Sequence, residues 1–133
     1  MSLLLDTHVW IWSQEAPQKL GARTIGLLTD RRSALYVSTV STLEIARLAS
    51  NGTIALSESL HSWISETLKA LECGTIEVSH EIAVEAYSLH GPFHKDPADR
   101  ILVATARIYE LTLVTMDGRI LEYPRVKSQD ARR

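Results

Sequence analysis

Five carboxylates stand where chemistry could gather: Asp6, Glu44, Asp96, Asp99 and Asp117. Asp6 directly follows the apolar run Leu3-Leu4-Leu5, and Asp117 follows Leu111-Thr112-Leu113-Val114-Thr115 closely. Asp96 and Asp99 open Asp96-Pro97-Ala98-Asp99-Arg100, which runs straight into the apolar Ile101-Leu102-Val103-Ala104. Each acid has an ordinary structural use. Helix starts favour acids, because free N–H groups and the positive dipole end lie there. Ser41 and Glu44 have the spacing of a capping box, and Asp117-Gly118 is a common turn pair. Joint placement is what sets them apart. Four carboxylates converging on one site repel unless they are neutralised, and a hard divalent cation with oxygen ligands, Mg²⁺ or Mn²⁺, is the natural solution. Such an ion can lower the pKa of a bound water and neutralise charge on a substrate.

The elements that must position these acids are legible as an alternation. Short apolar runs at residues 3–5, 34–37, 75–78 and 111–115 read as buried strands. Between them lie helical segments: one just after Asp6, a second opened by Pro17 and running to about 28, and a third over 41–50 closed by Asn51-Gly52. A fourth is capped by Ser57 and carries Leu60, Trp63, Ile64, Leu68 and Leu71 on one face, and a fifth starts at Ser79. The last is capped by Asp96, begins at Pro97 and runs to about 110, with one further weak strand near Val126. Alternating strands and helices without hairpin turns predict a short parallel sheet of four to five strands between helical layers, a three-layer α/β/α sandwich. Ligands of such sheets sit outside the carboxyl ends of the strands, where Asp6, Glu44, Asp99 and Asp117 all fall.

Composition bounds the rest. A chain of 133 residues, 45% hydrophobic and 23% charged, predicts one domain over 1–133 that folds without a disulfide or structural metal. The single cysteine, Cys73, excludes an internal disulfide framework and fits a reducing cytoplasm; it reads as a small apolar side chain. No apolar run approaches the roughly 20 residues of a membrane span. The first residues lack the basic flank of a signal peptide and read as a strand. The net charge of −2 neither proposes nor excludes a nucleic-acid partner. Lys95, Arg100 and Arg47 lie near the acids in sequence and are the candidate phosphate contacts. His80 and His94 read as structural, and Trp10 and Trp12 as core or dimer-interface residues.

The stretches Leu3-Leu4-Leu5-Asp6-Thr7-His8-Val9-Trp10, residues 37–45, residues 94–106 and Leu113-Val114-Thr115-Met116-Asp117 occur in register along essentially the whole chain. Together they resemble PIN-domain ribonucleases, specifically the VapC-type toxins of type II toxin–antitoxin pairs. The resemblance implies a Mg²⁺- or Mn²⁺-dependent endoribonuclease whose site acids are Asp6, Glu44, Asp99 and Asp117. It implies supporting roles for Thr7, Thr115 and Asp96, the last belonging to a subgroup pattern. It also implies an RNA substrate, a VapB-like antitoxin partner and a homodimer. His8 stands where many relatives have Asn, with the acids intact. The alternative is a non-catalytic PIN-like module binding RNA or protein. A haloacid-dehalogenase phosphatase is disfavoured because His8 breaks its Asp-x-Asp pattern. A dinucleotide-binding domain lacks its glycine-rich turn after the first strand.

Overall fold

The computed structural model describes residues 1–133. Five strands form one all-parallel sheet in the order β3-β2-β1-β4-β5: β1 (Ser2–Leu5), β2 (Ala34–Ser38), β3 (Gly74–Ile76), β4 (Thr112–Thr115) and β5 (Ser128–Asp130). Seven helices connect them: α1 (Thr7–Glu15) and α2 (Ala22–Thr29) between β1 and β2, then α3 (Thr39–Ser50) and α4 (Leu60–Leu71) before β3. The helices α5 (His80–Ala86) and α6 (Pro97–Ile108) follow β3, and α7 (Gly118–Leu121) follows β4.

The central strand explains the layering. Leu3, Leu4 and Leu5 are all fully buried, and their side chains alternate between two cores. Leu3 and Leu5 pack with Val9, Trp10, Ile45 and Trp63, whereas Leu4 packs with Leu102, Val103, Leu113 and Ile120. Helices therefore cover both faces, which is why this strand reads as a continuous apolar run. Trp10 lies wholly in the first core, its Nε1–H donating to Thr67 Oγ1 at 2.9 Å. The chain steps outward from β1 through β2 to β3, then returns to the other side of β1 to form β4. That reversal places the topological switch point between the ends of β1 and β4, the place where parallel sheets open a crevice.

Several boundaries differ from the expectations. The third helix begins at Thr39, capped by Ser38, whose Oγ accepts from Val40 N–H at 3.1 Å. Ser41 is therefore buried inside the helix, and Glu44 lies in the second turn, free of any capping box. The fourth is capped by Ser59 rather than Ser57. The segment opened by Pro17 is a 3-10 turn (Pro17–Lys19), separated from α2 by an extended Gly21. A Cβ on Gly21 would lie 2.1 Å from the Arg133 carbonyl carbon, so close backbone approach, rather than helix formation, governs that residue. The weak strand expected near Val126 forms at Ser128–Asp130 as an edge strand on β4.

Candidate active site

The crevice between β1 and β4 is built from strand ends and helix starts. Asp6, at the end of β1, caps α1: Thr7 N–H donates to its Oδ1 at 2.6 Å, and the Thr115 hydroxyl donates to its Oδ2 at 2.5 Å. Thr115 ends β4 and also accepts from the Asp117 N–H at 3.1 Å, so one buried hydroxyl ties the two strand-end acids together. Thr7 does the same for Glu44. Its Oγ1 lies 2.6 Å from Glu44 Oε1 and 2.9 Å from Ser41 Oγ. A carboxylate only accepts, so Thr7 donates its single proton to Glu44 and accepts from Ser41.

Asp99 enters from the first turn of α6. Asp96 caps that helix, its Oδ1 accepting from Asp99 N–H at 3.1 Å, and remains exposed. Asp99 has a largely buried carboxylate whose Oδ2 lies 3.1 Å from His94 Nε2. That contact lacks hydrogen-bond geometry, leaving the buried His94 nitrogen without a partner. Ligand atoms of His94, Asp99 and Asp117 all lie within 4.8 Å of one another. The four acids thus come from four elements and meet at one edge.

The electrostatics follow from this crowding. Burial, then the neighbouring charges of Asp6, Asp96, Asp117 and Glu44, push the Asp99 carboxyl up to about 8. Burial likewise raises Asp6, against the opposing hydrogen bond from Thr115, and raises Glu44, against the one from Thr7. Asp117 goes the other way. Burial pushes it up, but side-chain and backbone hydrogen bonds from Arg119 outweigh that and hold it below the usual range. Arg119 meets it fork to fork, Nη2 to Oδ2 at 3.1 Å and Nε to Oδ1 at 3.3 Å. Burial, then the Arg119 charge, lowers His94, which favours the neutral imidazole that can ligate a metal. Carboxylate oxygens, one unpartnered buried imidazole nitrogen and an acid that holds its proton when uncompensated form a donor set that fits a divalent cation.

Not every candidate reaches the site. Arg100, expected as a phosphate contact, is instead a fastener: its Nε, Nη1 and Nη2 donate to the carbonyls of His94, Ala86 and Phe93, each at 3.0 Å. Guanidinium groups so engaged, and stacked on the Tyr87 ring at 5.1 Å, are not free for phosphate. Lys95 and Arg47 are exposed. His80 opens α5 and is not part of the His94–Asp99–Asp117 group. Sequence reasoning passed over Arg119 and read His94 as structural. Arg119 follows Asp117 by two residues in a helix too short to be read in advance. His94 is set against Asp99 by a loop conformation that spacing does not reveal.

Comparison with known proteins bears on the family and the fold. The family model described as PIN domain matches residues 3–126. The chain is 32% identical over 119 residues to Ribonuclease VapC22 of Mycobacterium tuberculosis, covering 90% of this chain and 89% of that protein. Among solved structures, it resembles a toxin–antitoxin complex from Klebsiella pneumoniae with a TM-score of 0.63 at 20% identity, covering 97% of each chain. It also resembles VapBC2 from Rickettsia felis bound to a promoter DNA fragment, with a TM-score of 0.69 at 16% identity, covering 97% of this chain and 98% of that one. At these identities the structures speak for the fold.

Proposed function

The chain belongs to the PIN-domain family, and on that premise we propose that it is an endoribonuclease, the toxin of a toxin–antitoxin pair, that hydrolyses RNA phosphodiester bonds at the Asp6–Glu44–Asp99–Asp117 site. The observation that carries this reading is the convergence of those carboxylates at the switch point, with Asp99 driven up to about 8 by burial and by the other acids. A site that costs this much to charge is built for a cation.

The residues that would hold the ion are Asp99 and Asp117, with Asp6 and Glu44 completing the acidic wall and His94 offering a nitrogen. Bound there, Mg²⁺ or Mn²⁺ supplies an acidified water and charge neutralisation at the phosphate. The chain's own residues do the positioning. Thr115 fixes the orientation of Asp6 and the approach of Asp117, and Thr7 fixes Glu44. A carboxylate not engaged by the ion is placed to orient the attacking water or take its proton. Asp96 sets the start of α6 and thereby where Asp99 points.

The reading extends to a cognate antitoxin, a homodimer and a cytoplasmic setting, with residues 1–133 acting as a single PIN domain. No helix is long and apolar enough to cross a membrane. Cleavage of a structured RNA with Mg²⁺, with EDTA, and by Asp6→Asn and Asp99→Asn is the test. Loss of cleavage in EDTA and in both variants is expected. Undiminished cleavage by folded Asp99→Asn would sink the assignment of the site. A wild-type protein that binds RNA without cutting it would identify a binding module instead.

A further inference from the structure

We infer that the cleft bordering the acids is a nucleotide subsite for single-stranded RNA, an inference that rests on the ribonuclease reading. The cleft, of about 770 Å³, lies between the segments 90–94 and 119–125. It adjoins the acids through two shared residues: His94, which lies against Asp99, and Arg119, which pairs with Asp117. A strand whose phosphate is held at the acids must place a neighbouring nucleotide close by. The other large cavity, of about 510 Å³, lies among Leu20, Ile25 and Leu71, shares no residue with the acids and has Asp30 and Glu72 beside Arg31 in its lining.

The lining suits a nucleotide. Arg119 stands at the end nearest the acids. Arg125 stands at the other: its carbonyl accepts from Arg107, eight residues beyond Asp99 on α6. At about 1.5 Å per residue, that is on the order of 12 Å along the helix. The Arg125 side chain is exposed and takes part in no hydrogen bond or ion pair, whereas Arg100 and Arg119 are both engaged. Only one acid, Glu122, lines the same cleft, and with Arg119 paired to Asp117 the cation left for a flanking phosphate is Arg125. A strand whose scissile phosphate is held at the acids would run its flanking backbone across this cleft toward Arg125, the cation there without an acidic partner.

Its walls are formed in advance. The Tyr123 hydroxyl donates to the His90 carbonyl at 2.6 Å, and the Tyr123 and Phe93 rings meet at 4.9 Å. Arg100 pins the Phe93 and His94 carbonyls from beneath. Held by backbone alone, the exposed His90 ring is free to stack on a base without dismantling the loop.

The test measures binding of a fluorescein-labelled, mixed-sequence single-stranded RNA 12-mer to Asp99→Asn protein across a salt series. Arg125→Gln and His90→Ala are each added to that background, with Arg31→Gln, at the opposite edge of the sheet, as control. Arg125→Gln is expected to weaken binding about three- to ten-fold and to flatten the log K against log salt slope by about 0.7, one single-strand phosphate contact. His90→Ala is expected to weaken binding with the slope unchanged, and Arg31→Gln to match the parent. In the cleaving protein, Arg125→Gln should raise KM and leave kcat within about two-fold. Binding and slope equal to the parent in both Arg125→Gln and His90→Ala would overturn the subsite while leaving the ribonuclease reading intact. A wild-type protein that neither binds nor cuts RNA would remove both.

Discussion

At the scale of single residues, two threonines do what the acids cannot do for themselves. Asp6 is 8% exposed, and its second oxygen has the Thr115 hydroxyl as its hydrogen-bond donor. Thr115→Val keeps the shape of the side chain but leaves that oxygen unsatisfied, a loss of about 1–3 kcal/mol for a buried acceptor. It should lower the denaturant midpoint and reduce RNA cleavage more than Thr112→Val on the same strand, which would be seen by urea titration and turnover measured side by side. The residue scale is also where the sequence was most and least informative. Asp6 and Asp117 were legible because each follows an apolar run, and an acid there must lie at a strand's carboxyl end. Glu44 was obscured by Ser41, which imitates a capping box although the helix starts at Thr39. Arg119 was not legible and His94 was read as structural, because their partners lie across a turn or a loop whose path no periodicity encodes.

At the scale of elements, α6 and the loop before it are one unit. Asp96 caps the helix, Pro97 begins it, and Arg100 ties it back to the loop through the Phe93 and His94 carbonyls and to the end of α5 through that of Ala86. Since His94 and Asp99 face each other across this junction, its rigidity sets the site's geometry. Arg100→Lys retains the charge but cannot reproduce the planar fork. Hydrogen exchange should therefore rise across 86–96, with cleavage reduced, while the core of β1 stays protected. Unchanged exchange there would show that the loop is held by its apolar contacts alone. The long apolar runs of β1 and β4 and the amphipathic α4 were readable because burial imposes their pattern. By contrast, β5 is the polar Ser-Gln-Asp, kept in the sheet by pairing with β4 and carrying no hydrophobic signature. The four-residue α7 is too short to show a period at all.

At the scale of the whole molecule, the site is a local strain that the fold tolerates. Asp99 is raised from 3.8 to about 8, and Asp6 and Glu44 are raised as well, so the metal-free folded protein holds protons that the unfolded chain releases. Their contribution to stability is complete below the ordinary carboxylate range and is lost as pH rises toward 8. Asp117, held low by Arg119, contributes with the opposite sign, above its ordinary value. The raised acids prevail in the window from about pH 5 to 8. Melting temperature without metal should fall across it, and Asp99→Asn should melt higher than wild type at pH 8 while being inactive.

The most direct measurement is the calorimetric titration of Mn²⁺ into the protein from pH 6 to pH 8. If the ion displaces the proton held by Asp99, apparent affinity should rise about ten-fold per pH unit and level off above about 8. Asp99→Asn should bind at least about ten-fold more weakly at pH 8, with no such rise. Affinity independent of pH over this range, or equal binding by the variant, would contradict a cation site built on these acids.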